Sequence, residues 1–202
     1  MANNHKYTDQ VRKELMESSK IKEEMAQTHA EQVVSIAKTI SESFNAGNKL
    51  LICGNGGSAA DSQHMAAEFV NTFNFQRDPL PAIALSVDTS VITSIANDSN
   101  YDSIFARQIA ALGRKGDVLI VFSTSGNSIT IVRAIEEART QGMMTIGFTG
   151  KNGGKIKGML DYALCVPSVH TARIQEAHVA LYHIICGMVE QMMFPHLGED
   201  DV

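Results

Sequence analysis

Apolar positions along the 202-residue chain follow two regimes. From about Thr8 to Ala46 there is neither proline nor glycine, and Lys, Glu, Met and Ala dominate. Val11, Leu15 and Met16, then Val33, Ala37, Ile40 and Phe44, recur with a helical period. This predicts two helices, or one with a break near Thr28, lying outside the core that follows. Such an element suits subunit packing or a helix laid on its own domain. From Lys49 onward short apolar runs alternate with helix-like segments. The runs are Leu50–Cys53, Ala82–Ser86, Val118–Phe122, Met144–Phe148 and Tyr162–Val166, apolar on both faces as in strands covered on two sides. Helical patterns fall at Ala59–Phe73, Ser90–Ile95 with Ile104–Leu112, Ile129–Thr140 and around Lys155–Met159. The expected architecture is α/β: a doubly wound, parallel five-stranded sheet in one domain over residues 1–202, with 1–46 as an N-terminal helical extension. A last helical segment, Thr171–Phe194, is nearly apolar all round after Glu176, which predicts deep burial.

Composition narrows the class. Hydrophobic content of 44% and charged content of 19% describe an ordinary globular chain. A net charge of −5 argues against a general binder of nucleic acid or acidic membranes. Cys53, Cys165 and Cys186 form no C-x-x-C pair and read as reduced core thiols of a cytoplasmic protein. The N-terminal residues show no apolar secretory core, and the longest apolar run, 177–194, carries His178, His183, Glu190 and Gln191, against a membrane span.

Candidate chemistry begins where the first run stops. Leu50–Cys53 is followed by Gly54-Asn55-Gly56-Gly57, with Ser58 as the expected N-cap of the next helix. Strand, glycine turn and helix present backbone N–H groups and a positive dipole end to an anion. The turn matches G-x-G-x-x-A, but a dinucleotide site also wants an acid at the end of the next strand, and Asp88 comes too late. No G-K-[ST] is present for a Walker loop. A second loop at a strand end, Ser123-Thr124-Ser125-Gly126-Asn127-Ser128, is dense in hydroxyls and amides and leads directly into a helix, a good phosphate site without lysine. Asn97-Asp98 is expected in a helix-to-helix connection, where it reaches a ligand or caps a turn. His64 and Glu68, about 40° apart around one helix, suit a metal or acid–base chemistry, while spacing alone favours a surface pair. His183, among Leu181, Ile184 and Ile185, reads as a core histidine. Gln175 lies about 12 Å before it along the axis.

Taken together, C-G-N-G-G-S (53–58), H-M-A-A-E (64–68), P-A-I-A-L (81–85), A-N-D (96–98), S-T-S-G-N-S (123–128), F-T-G-K-N-G-G-K (148–155) and A-R-I-Q-E-A-H (172–178) resemble the phosphoheptose isomerases of the sugar isomerase (SIS) domain family, over nearly the whole chain. The resemblance implies a flavodoxin-like sheet and conversion of sedoheptulose 7-phosphate, through an enediol, into an aldose phosphate for bacterial heptose and lipopolysaccharide core synthesis. It implies substrate binding by Asn55, Gly56, Gly57, Glu68, Asn97, Asp98, Ser123, Thr124, Ser125, Ser128 and Gln175. One Zn2+ per subunit would be held by His64, Glu68, Gln175 and His183, with Glu68 and His183 as the catalytic pair. A homotetramer with sites at subunit interfaces is implied, with no nucleic-acid or membrane partner. Family members often carry an arginine where Thr72 stands, and whether Arg77 replaces it stays open. A non-catalytic relative that binds the replication initiator protein shares the fold, but it lacks an acid at the position of Glu68.

Overall fold

Successive residues of the first strand point into different cores. Leu50 and Ile52 join one buried cluster, and Leu51 and Cys53 join the other, as the period of two along a strand requires. The computed structural model describes residues 2–197. Its sheet contains β1 (Leu50–Gly54), β2 (Ala82–Ala84), β3 (Val118–Ser123), β4 (Met144–Gly150) and β5 (Tyr162–Val166). Every pairing is parallel, in the order β2-β1-β3-β4-β5. Ile52, Ile120 and Ile146 lie side by side across the centre. The order reverses between β1 and β3, which opens a crevice at their carboxyl ends, where sheets of this order bind ligands.

Helices α1 (Ala2–Asn45), α2 (Gly57–Val70) and α6 (Thr171–Met193) pack on one face. The other face carries α3 (Thr89–Asp98), α4 (Ile104–Leu112) and α5 (Ile129–Thr140). The expected doubly wound sheet and helical extension are both present.

Several local expectations change. The N-terminal segment is one continuous helix without a break at Thr28, whose hydroxyl bonds back to the Glu24 carbonyl inside the helix. Along its later half one face is buried, at Ile21, Met25, Val33, Ile36, Ala37, Ile40 and Phe44, while Val11, Leu15 and Met16 stand exposed. β2 is shorter than the apolar run 82–86 because the chain turns at Leu85. Asn97 and Asp98 form the last turn of α3 rather than a connection. Asp88, rejected as a ribose ligand, caps α3 by accepting from the Val91 N–H at 2.9 Å. α6 is buried along one face only: Ile174, Ala177, His178, Leu181, Tyr182, Ile185 and Val189 point inward, whereas Ile184 is exposed. Cys53 and Cys186 are buried free thiols as expected, and Cys165 is half-buried. No described helix is long and apolar enough to cross a membrane.

His178 is fully buried between Phe122 and Phe148. Its Nε2–H donates to the Thr149 carbonyl at 3.1 Å, while Nδ1 has no partner. Burial outweighs that hydrogen bond and lowers its pKa to about 4. A neutral native histidine means that between pH 4 and 6.5 the unfolded chain binds the extra proton, so this contribution is lost as pH falls through that window. Asp61, raised to about 6 by burial, works in the opposite sense over much of the same range. His178→Gln, which keeps an amide donor for Thr149, is therefore expected to remove on the order of 3 kcal/mol of acid sensitivity. The difference between variant and parent in urea midpoint at pH 7.5 and pH 4.5 measures it.

Candidate active site

Two turns that need glycine shape the crevice. Gly56 sits at φ 58° between β1 and α2, and a Cβ on Gly54 would collide with the Ser58 backbone. Gly126 sits at φ 62°, donates to the Ser123 carbonyl at 3.0 Å and accepts from Ile156 N–H at 3.1 Å. A Cβ there would fall on the Gly153 carbonyl. Asn55 ties the turns together: its amide donates to Ser128 Oγ at 3.1 Å and Thr130 Oγ1 at 2.7 Å. Tyr101 donates to the Asn55 side-chain oxygen at 3.4 Å.

Ser58 is not an N-cap. It lies inside the first turn of α2, whose cap is Gly56. Ser128 takes the N-cap position of α5 without a side-chain bond to a helix N–H; its hydroxyl instead accepts from the Asn55 amide and pairs with Thr130 Oγ1 at 3.1 Å. α6 starts after His170, again without a side-chain cap. Three helix N-termini with no side-chain cap thus open into one cavity of about 280 Å3, lined by Asn55, Gly57, Ser58, Phe122, Ser123, Thr124, Ser125, Ser128, Thr171 and Gln175. Uncapped N–H groups and aligned dipoles make this an anion cradle. Gln175 packs against Gly57, where a Cβ would strike its amide.

Two turns further along α2, His64 and Glu68 meet α6. His64 Nε2 lies 2.9 Å from Glu68 Oε1 and 3.3 Å from His183 Nε2. Ligand atoms of His64, Glu68 and His183 all fall within 4.8 Å of one another. Imidazole nitrogens and a carboxylate at that spacing fit a borderline cation such as Zn2+. The His183 pKa is lowered by burial and by His64, against an opposing pull from Glu68. Behind the cluster, Tyr182 is fully buried and its hydroxyl lies 2.8 Å from His64 Nδ1. Burial, then Asp61, raises the Tyr182 pKa, so the phenol stays protonated.

Of the expected residues, His64, Glu68 and His183 converge in one chain, and Asn55, Gly57, Ser123, Thr124, Ser125, Ser128 and Gln175 line the adjacent cavity. Gly56 forms the turn beside it. Gln175 stands with the cradle, against Gly57, rather than at the level of the two histidines. Asn97 and Asp98 are exposed and bonded to each other at 2.8 Å, with Asp98 lining a separate cavity beside Ser94, Ser103 and Arg107. Tyr101, Thr171, Tyr182 and Asp61 escaped the sequence reading, and no local motif marks them.

Arg77 does not replace the arginine missing at Thr72. Its side chain is 1% exposed, paired at 2.9 Å with an equally buried Glu190. It also donates to the carbonyls of Glu68 and Phe69, while Glu190 accepts from the N–H groups of Phe73 and Asn74. Every polar face of the pair is committed to holding the end of α2 against α6.

The SIS domain family matches residues 15–150. The chain is 50% identical over 188 residues to the phosphoheptose isomerase of Roseiflexus sp. (strain RS-1), covering 93% of this chain and 95% of that protein. It is 54% identical over 166 residues to the phosphoheptose isomerase of Clostridium acetobutylicum, covering 82% and 85%. The solved phosphoheptose isomerase from Neisseria gonorrhoeae superposes with a TM-score of 0.87 at 41% identity, covering 92% of this chain and 99% of that one.

Two substitutions test the geometry. Arg77→Met strands the buried Glu190 carboxylate and is expected to cost about 3–5 kcal/mol in chemical denaturation. Gly126→Ala strains the second turn, and sugar-phosphate affinity by calorimetry should fall at least tenfold, about 1.4 kcal/mol, with the helical circular dichroism retained.

Proposed function

The chain belongs to the SIS-domain family and to its phosphoheptose isomerases, and from that premise we propose that it interconverts sedoheptulose 7-phosphate and D-glycero-D-manno-heptose 7-phosphate. The observation that carries the reading is the convergence of His64, Glu68 and His183 beside a phosphate-sized cradle built from helix N-termini. The phosphate rests among Ser123, Thr124, Ser125, Ser128 and the N–H groups around Gly56 and Gly57. This fixes the far end of the sugar and turns the reaction into a positioned, unimolecular one. Asn97 and Asp98 join the substrate contacts as the sugar chain extends from the cradle.

Moving the carbonyl from C2 to C1 takes a proton from C1 and returns it to C2. Glu68 performs that shuttle through an enediol. His183, whose Nδ1 carries no hydrogen bond among the described residues, carries the proton between the two oxygens. His64, Glu68 and His183 would hold one Zn2+ per subunit, with Gln175 as a fourth ligand only if its side chain turned from the cradle toward them, and the ion would supply polarisation of the substrate carbonyl. The product supplies the heptose of bacterial surface polysaccharide, and the enzyme works in the cytoplasm. Exposed Val11, Leu15 and Met16 on α1 and Ile184 on α6 supply apolar surface for a homotetramer.

The initiator-binding alternative is not favoured. Glu68 is present and lies in hydrogen-bond reach of His64, and the relatives matched over most of their length carry the isomerase name. Glu68→Gln is expected to lower kcat by about 10²–10⁴-fold while binding of sedoheptulose 7-phosphate changes only a few-fold. Aldose formation and calorimetry, both at saturating Zn2+, separate the two effects. Turnover close to the parent's would remove Glu68 from the proton path.

A further inference from the structure

We propose that Tyr182 is a positioning residue that commits Nδ1 of His64 to a phenol hydrogen bond and so aims Nε2 at the cation centre. This rests on the reading of His64, Glu68 and His183 as a cation site. The side chain of His64 is 46% exposed, and an imidazole so open to water ordinarily samples several rotamers and both tautomers. Here it is pinned from behind by a residue that cannot move. Tyr182 is 0% exposed and packs edge-on against Phe122 at 5.8 Å, within the core that joins α6 to the sheet. Its ring also meets His64 edge-on at 5.4 Å and His183 at 4.9 Å. A rigid buried ring therefore carries its hydroxyl to a fixed point 2.8 Å from Nδ1 of an exposed one.

The tautomer follows from the partners. Without a cation, His64 Nε2–H donates to Glu68 Oε1 at 2.9 Å, and Nδ1 accepts the Tyr182 O–H. To ligate through Nε2 the ring must carry its proton on Nδ1 instead. The phenol oxygen, which accepts as readily as it donates, then receives that N–H. The same bond serves both states with a turn of one hydroxyl. A partner of this kind on the distal nitrogen orients a ligating histidine and raises its basicity.

His183 has no such partner. Its Nε2 faces His64 at 3.3 Å, its ring leans on Phe73 at 5.3 Å, and Nδ1 bonds to nothing among the described residues. The two imidazoles of the cluster are thus set up differently: the distal nitrogen of His64 is held by a buried phenol, and that of His183 has no protein partner among the described residues.

Tyr182→Phe keeps the buried ring and removes only the hydroxyl. Zn2+ alone, competed against a chromophoric chelator, should bind the variant about 10–100-fold more weakly than the parent, while the melting temperature of the metal-free protein moves by only a few degrees. Equal Zn2+ affinity in variant and parent overturns the role of Tyr182 and leaves the cation site standing. Absence of Zn2+ binding by the parent itself overturns the cation reading, and this inference with it. Imidazole 15N NMR of the Zn2+-loaded parent provides a measurement that does not depend on the variant folding. His64 protonated at Nδ1 is expected, and ligation through Nδ1 would overturn the proposal.

Discussion

α2 and α6 lie side by side and run in the same direction, and the site depends on that pairing. Contacts between their segments keep a nearly constant sequence offset: 118 and 119 for Tyr182 and His183 with His64, 117 and 116 for Glu190 with Phe73 and Asn74. Both helices leave the carboxyl end of a parallel strand, β1 for α2 and β5 for α6. Their N-termini therefore share one edge of the sheet by topology. Two positive dipole ends placed together repel, by a few tenths of a kcal/mol to about one at a surface. An anion placed between them would relieve that mild conflict. Sheet packing along the helices and the buried Arg77–Glu190 pair at their far end hold the arrangement in the meantime. A buried ion pair seldom adds net stability over an apolar replacement, but its demand for matched partners sets register. Here the register decides whether His64 faces His183 or slides past it.

Much of the fold was legible because it is local. Five short apolar runs, most of them beside a glycine, name the strands, and the two polar loops at strand ends name the cradle. Two failures were decided by the local backbone, and the others by a tertiary partner. Ser58 looks like a cap, yet Gly56 takes that place because a glycine conformation is needed to leave β1. Thr28 looks like a break, but its hydroxyl is absorbed by the Glu24 carbonyl. His64 with Glu68 resembles a surface pair, and His183 a core residue, when each helix is considered alone. Only their contact across α2 and α6 makes them a cluster, and residue spacing carries no information about that contact. Family resemblance supplied the grouping; spacing did not. Tyr182, buried and one residue from His183, reads in sequence as one more large core residue.

Arg77 shows how a charge can mislead in the same way. It sits near the expected position of a substrate arginine, yet its guanidinium is spent on Glu190 and on the carbonyls that end α2. Among the described residues no lysine or arginine lines the cradle. The donors that the cradle offers a phosphate in the proposed function are hydroxyls, an amide and backbone dipoles. Such donors are fixed in place by the turns that carry them, so they lose little freedom when the ligand arrives. They also present a direction rather than a bare charge, which favours a tetrahedral oxyanion over a simple anion of equal charge. A flexible cation would add long-range attraction and would hold the product as firmly as the substrate. For a reaction that leaves the phosphate unchanged, strong binding at that end brings no gain in the chemical step once substrate is saturating. In the proposed reaction a neutral cradle at three helix N-termini is the anchor, and selectivity between ketose and aldose falls to His64, Glu68 and His183, two turns further along α2 and α6.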